Sequence, residues 1–284
     1  MRPVPYCLPE IAEMIFAAAR MVSEDVFIHR RVIATALGAA LANDDEDSPQ
    51  ELALTALRAA YKALGVTDPY ENEKARRNRA MLGLENFIND YLTTAESAFA
   101  ASVRLSLAAN GEKIKRLGRE ELEKELSARL MIKPAIDKIT TLAVQVAKSP
   151  SVMFIAGCAG EIVADKFLIT ELRHHAKVEV VVAAKPIMGR ATLADAEMAG
   201  LTEIATVTDP GADMLGLSLG RAAAEFRRRF AAADLVIAKG AFNWQTLKDC
   251  NREVFCLVQA EGASVAAELN VAVGDGVITV LNDK

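Results

Sequence analysis

The chain has 284 residues, 52% of them hydrophobic and 25% charged, with a formal net charge of −5 at pH 7. That composition supports a large buried core and excludes a disordered chain. The acidic balance argues against sequence-independent nucleic-acid binding, which needs a basic surface; the run Arg227-Arg228-Arg229 reads as a solvated helix face.

Residues 1 to about 149 read as helical throughout. Pro9-Glu10 begins a helix running to about Ser23, and residues 27–42 give a second. Residues 43–47 form an acidic loop. Ser48-Pro49-Gln50-Glu51 is a helix start, with Ser48 as cap, Pro49 in the first turn and Glu51 three residues after the cap. This helix stops at Gly65, and Asp68-Pro69-Tyr70 is a turn. A helix through Lys74 and Asn78 follows, ending at Gly83. Residues 85–109 are apolar at helical spacing, Asn110-Gly111 breaks the pattern, and further helices are expected at 118–127 and 132–148. No β-branched alternation marks a strand anywhere in this half.

After residue 150 the period changes. Strands are predicted at 151–156, 178–183, 203–207, 234–238, 254–258 and 277–281. Helices are predicted between them at 160–175, 192–199, 217–232, 243–250 and 261–269. Alternating β and α elements imply a mainly parallel sheet covered on both faces. The expected architecture is therefore an all-α domain over residues 1–149 followed by a Rossmann-like three-layer α/β/α domain over 150–284. The last strand follows the tight turn Val273-Gly274-Asp275-Gly276 and is expected at a sheet edge, in antiparallel pairing.

The start of the chain, Met1-Arg2-Pro3-Val4-Pro5, leads into no secretory apolar core, and no apolar run is long enough to span a membrane. The cysteines are Cys7, Cys158, Cys250 and Cys256, with no CxxC or zinc spacing. A reduced, cytoplasmic protein is the economical expectation. The histidines, His29, His174 and His175, are expected to be structural or surface residues.

In an open parallel sheet the loops after the strands face one crevice. Four such loops stand out: Gly157-Cys158-Ala159-Gly160-Glu161; Lys185 to Arg190, ahead of Thr192 and Asp195; Asp209 to Asp213; and Lys239-Gly240-Ala241-Phe242-Asn243. Lys185, Arg190 and Lys239 are expected to point into that crevice, which suits a phosphate or carboxylate ligand. The sequence has no GxGxxG after a strand, no GxxxxGK[ST] and no GxSxG elbow, so the standard nucleotide and serine-hydrolase motifs are absent.

Taken in order, these loops resemble the damage-control metal-dependent phosphatases, the family long called domain of unknown function 89, in its short, mainly prokaryotic branch. Gly157-Cys158-Ala159-Gly160-Glu161 is similar to the family's Asp-Asn-Ala-Gly-Glu, and Asp165-Lys166 to its continuation. Pro186 to Ala196 resembles Pro-x-x-Asn-Asp-x-Thr-x-x-Asp-Ala, and Asp234 to Gln245 resembles DLVIxKGxxNxE. Ser48-Pro49, Asp68-Pro69-Tyr70, Lys74 and Asn78 match in the helical half. The resemblance implies hydrolysis of phosphate esters of small, often damaged metabolites. It also implies a divalent metal such as manganese, cobalt or nickel, held by the Asp and Asn of the first motif and the second Asp of the Asn-Asp pair. Here those positions carry Gly157, Cys158 and Arg190, which do not supply oxygen ligands for a hard cation. Gln245 replaces a family Glu, Glu261-Gly262 a Lys-Cys pair, and of the amino-terminal cysteine pair Cys7 alone remains.

The expectation is a divergent family member that binds a small anionic or phosphorylated molecule, with no metal in the family manner and reduced or absent metal-dependent hydrolysis. Its ligand residues are expected among Glu161, Arg190, Asp209, Lys239, Gly240 and Asn243, with Glu161 and Asp195 as candidates for catalysis. Two alternatives stay open. One is an active phosphatase whose site is rebuilt from the oxygens of Glu161, Asp165, Asp195 and Asp209. The other is a noncatalytic partner-binding module. Neither a nucleic acid nor a membrane is an expected partner.

Overall fold

The structure is a computed structural model that describes residues 7–42 and 48–282. The first three helices are α1 (Leu8–Val22), α2 (Val26–Leu41) and α3 (Pro49–Leu64). They meet through Ile15, Ala18, Ala19, Val32, Ala36, Leu57 and Ala60, and the many alanines let the axes approach closely. The predicted start of α3 is present as a reciprocal capping box: Glu51 N–H donates to Ser48 Oγ (3.3 Å) and Ser48 N–H to Glu51 Oε2 (3.0 Å). Gly65, left-handed at φ 72°, closes the helix. The predicted acidic loop at 43–47 lies outside the described residues.

Six helices follow: α4 (Glu71–Leu82), α5 (Glu85–Thr94), α6 (Ala98–Ala108), α7 (Glu112–Lys115), α8 (Arg119–Leu130) and α9 (Ile139–Val146). The apolar stretch 85–109 is broken at Ala95, which is extended, and Ser97 caps α6 by accepting from Ala100 N–H. The remaining helices are α10 (Glu161–Arg173), α11 (Leu193–Met198), α12 (Ala224–Ala232), α13 (Ala241–Leu247) and α14 (Ala263–Leu269). The predicted helix at 217–232 is thus shorter, starting only at Ala224.

The strands are β1 (Ile136–Asp137), β2 (Ser151–Ile155), β3 (Lys177–Val181), β4 (Thr206–Thr208), β5 (Leu235–Lys239), β6 (Val254–Gln259) and β7 (Gly276–Leu281). They form one mixed sheet in the order β1-β7-β6-β5-β2-β3-β4, parallel except for the antiparallel β6–β7 pair. Two expectations are corrected here. The first half is not helical throughout, because Ile136–Asp137 pairs with Val277 and Ile278. That strand is too short to show any alternation. For the same reason β7 is antiparallel but not at the edge: β1 covers it.

Both faces of β2 are buried, as its continuous apolar run requires. Val152 and Phe154 pack with α6, α9 and α10, and Met153 and Ile155 with the α12–α14 side. The first of these cores runs without interruption from helices of the first half into the sheet. No helix among the described residues is long and apolar enough to cross a membrane. The cysteines stand apart, none in a disulfide. His29 bonds the Ser23 carbonyl (2.6 Å), and His174 sits at the C-cap of α10.

The strand order fixes where a ligand crevice lies. From β2 the chain moves outward through β3 and β4, then returns to place β5 on the other side of β2. The carboxyl ends of β2 and β5 are therefore the topological switch point, the usual binding place in an open α/β sheet.

Candidate active site at the switch point

After Ile155 the chain leaves β2 through Ala156 to Gly160 and enters α10 at Glu161. Gly160 is left-handed (φ 82°) and lies under Arg77, whose Cβ stands 3.1 Å from where a Gly160 side chain would begin. Its N–H donates to Asn78 Oδ1 (2.6 Å). A Cβ at Gly157 would meet the Glu161 carboxylate, which would have to turn aside to admit one. Glu161 is only 2% exposed, so its carboxylate is packed back over the turn. The loop 187–191 runs alongside: Cys158 and Arg190 form an isolated antiparallel bridge, Ala159 N–H donates to Gly189 O (2.9 Å) and Ala191 N–H to Gly157 O (3.1 Å).

Arg190 is buried beside this turn. Its Nη2 donates to Ala156 O (3.2 Å), and both terminal nitrogens reach Asn243 Oδ1 at 3.4 Å. Its buried Nε has no hydrogen-bond partner. Burial pulls the guanidinium below its ordinary pKa, while nearby Cys158 and Glu161 pull it back up. A guanidinium starts so high that it stays charged. Asn243, in the first turn of α13, is a brace. Its Oδ1 also accepts from Leu217 N–H (2.9 Å), and its Nδ2 donates to Lys239 O (2.8 Å) and Ala156 O (3.3 Å). Gly240, at φ 82°, starts that helix and faces Asn110 Nδ2, itself buried without a partner.

The expectation that three cations face one crevice is corrected. Lys239 is fully buried and does not project into it: its Nζ pairs with Asp165 Oδ1 (2.9 Å) and donates to Ser106 Oγ (3.0 Å) and, very closely, to Ser106 O. Burial pushes the Asp165 carboxyl above its ordinary range, and Lys239 and Ser106 pull it down. Lys185 is a surface residue. Asp209 is exposed and accepts from Gly211 N–H in its own turn (2.7 Å). Asp195 is fully engaged: it accepts from Thr192 N–H (2.9 Å), Thr192 Oγ1 (2.8 Å), Asn78 Nδ2 (2.8 Å) and Lys74 Nζ (3.3 Å). Of the expected residues, the fold gathers Gly157, Cys158, Glu161, Arg190 and Asn243 at the switch point. It assigns Asp165, Asp195 and Lys239 to buried ties between elements. Among the described residues no group of three or more His, Cys, Asp or Glu side chains is arranged to hold a metal.

Several residues at the site were not singled out for it from sequence. Arg77 covers Gly160 and reaches Gly189, and Tyr61 Oη accepts from Met188 N–H (2.9 Å). Both sit in helical runs where nothing distinguishes them from neighbours. Tyr61 holds a strained point, since Met188 has φ 49°. Burial pushes the Tyr61 phenol up to about 12. The folded state therefore keeps a proton that an unfolded tyrosine releases near pH ~10. The associated stability is present below that pH and is lost as pH rises towards about 12. Denaturant midpoints measured across this window are expected to fall, and Tyr61→Phe to flatten the fall.

The sequence profile of the ARMT1-like damage-control phosphatase domain matches residues 4–277. The chain belongs to this family. A damage-control phosphatase of Pyrococcus horikoshii, PH1575, is 29% identical over 273 residues, 94% of either chain. One of Archaeoglobus fulgidus is 27% identical over 288 residues, 99% of this chain and all of that one (100%). The uncharacterized protein MJ0202 of Methanocaldococcus jannaschii is 30% identical over 230 residues, 74% of this chain and 73% of its own. The crystal structure of the P. horikoshii protein, described as a DUF89 family protein, superposes with a TM-score of 0.90 at 27% identity, over 99% of this chain and 100% of that one. The mixed α/β architecture with its mostly parallel sheet is therefore that of the family.

Proposed function

We propose that this chain is a divergent damage-control phosphatase that binds a small anionic or phosphorylated metabolite at the switch point. In this reading its metal-dependent hydrolysis is reduced or absent. The observation that carries the reading is Arg190, whose buried guanidinium keeps one N–H, at Nε, unbonded beside the first turn. A buried donor left without a partner costs about 1–3 kcal/mol, which an anionic oxygen would offset. Arg190 also stands where the family's second Asp is expected, so a fixed positive charge takes the place of a carboxylate.

The residues present do not fit the divalent cation that the family implies. Gly157 contributes no side chain, and the Glu161 carboxylate fills the space where one would begin. Cys158 offers a single sulfur, and one thiolate makes no cage for a hard ion. Asp165, Asp195 and Asp209 are taken up in separate contacts, which argues against a rebuilt cluster. Glu161 repels a second negative charge, so the ligand has to seat on the Nε edge of Arg190.

Thermal melting with inorganic phosphate and with manganese chloride tests this. Phosphate is expected to raise the midpoint and Arg190→Met to abolish the rise. Hydrolysis of p-nitrophenyl phosphate is expected to show no stimulation by manganese, cobalt or nickel. Robust metal-stimulated turnover, or phosphate stabilisation that survives Arg190→Met, would overturn the reading.

A further inference from the structure

We propose that Cys158 is a nucleophile for metal-independent cleavage of phosphate monoesters, with Arg190 seating the phosphoryl oxygens. The proposal rests on the anion-site reading above and adds a reaction to it. Cys158 and Arg190 lie opposite one another across an isolated antiparallel bridge. Residues so placed send their side chains to the same side of the ladder, with Cβ atoms about 4.5–5.5 Å apart. Arg190 is 8% exposed, and its Nε, pointing to no protein acceptor, leaves an N–H for a ligand to meet. Cys158 is only half-buried, so solvent reaches its side of the turn. It also lies just ahead of Glu161, the first residue of the 13-residue α10. A helix N-terminus and an adjacent guanidinium are the surroundings in which nucleophilic cysteines occur. Cys250, the other half-buried cysteine, also lies near a guanidinium with an unpartnered Nε, that of Arg252, but it follows α13 rather than leading into a helix.

The chemistry balances without a co-reactant other than water. The Cys158 sulfur attacks phosphorus, and the S–P bond forms as the P–O bond to the leaving group breaks. The departing oxygen leaves with the bonding pair and takes a proton from water. The hydroxide so formed attacks the phosphocysteine, the S–P pair returns to sulfur, and inorganic phosphate departs. The sum is ester plus water giving alcohol plus phosphate, with nothing oxidised or reduced. Arg190 contributes its fixed charge and its one unbonded N–H, at Nε, to an equatorial oxygen, where charge accumulates.

The test is hydrolysis of p-nitrophenyl phosphate by the full chain in excess EDTA. Turnover is expected to persist in EDTA and to drop by about 100-fold or more in Cys158→Ala, while Cys250→Ala leaves it unchanged. Arg190→Lys keeps the charge but loses the Nε–H, and is expected to raise KM by about 10-fold. As a measurement independent of variants, iodoacetamide should label Cys158 of the wild-type chain faster than Cys250, and inorganic phosphate should slow that labelling. No turnover in EDTA, turnover retained in Cys158→Ala, or labelling of Cys158 no faster than Cys250 overturns the proposal. Each of those outcomes leaves phosphate stabilisation through Arg190 standing or falling by its own melting experiment.

Discussion

Lys239→Met is expected to destabilise the fold by about 3–5 kcal/mol. The Lys239–Asp165 pair is wholly out of water, with both side chains at 0% exposure. Removing the cation leaves a carboxylate with no counter-charge in a low-dielectric interior, and the Ser106 carbonyl loses a donor. The deficit should depend on pH. Asp165 is already pushed up by burial, and Lys239 is the larger of the forces holding it down. Without Lys239 its folded-state pKa rises further above the unfolded value. A group raised in this way costs stability as pH climbs through the interval between the two values. The variant should thus lie closest to wild type in mild acid and furthest from it at neutral pH. Equilibrium denaturation at several pH values measures this. Lys239→Met/Asp165→Leu should recover most of the loss, since an apolar replacement of both partners is often neutral or better. A single variant as stable as wild type at neutral pH would show that the pair is not an ion pair in solution.

The second large effect is expected from Asn78→Ala. Asn78 is 1% exposed and holds two elements at once, accepting from Gly160 N–H (2.6 Å) and donating to Asp195 Oδ1 (2.8 Å). Alanine leaves both partners buried and unmet, at roughly 1–3 kcal/mol each. The loss should not be confined to stability. Gly160 belongs to the turn that carries Cys158 and packs Glu161, so a slackened turn should also weaken phosphate stabilisation of the chain. Lys62→Ala, on the exposed face of α3, serves as the control and should change neither. An Asn78→Ala variant with wild-type stability would mean that the strut carries no load.

The Asn78 strut also shows how far the sequence could be read. Asn78 and Lys74 stood out only by resemblance to a family motif, and nothing in the spacing of a polar helix said what they touch. Their partners, Asp195 and Gly160, are more than eighty residues away in the chain, so the tie is a product of tertiary packing. The turn after β2 was legible, because a continuous apolar run followed by Gly157 and Gly160 has few other uses. The capping box at Ser48 was legible for the same kind of local reason. Lys239 was misread in direction. A lysine after a buried strand looks like a residue facing the ligand, and only the arrival of α6 over the strand end shows its charge spent on Asp165 and Ser106. Arg190 lies at the switch point because its neighbours, Cys158 and Gly189, lie in the two loops that the strand order brings together.

The two-residue strand β1 has a consequence for how the chain reaches this state. Ile136 pairs with Val277, so the sheet's outer contact joins residues separated by most of the second half of the sequence. Closing so long a loop costs little more free energy than closing one half its length, but contacts of this range come late in folding. During synthesis, β1 waits with its hydrogen-bonding groups unpaired until β7 has left the ribosome and folded back on β6. The antiparallel β6–β7 pair, joined through α14, can form first and then dock as a unit. The emergence of β7, rather than the appearance of the crevice residues, is therefore the event that completes the sheet.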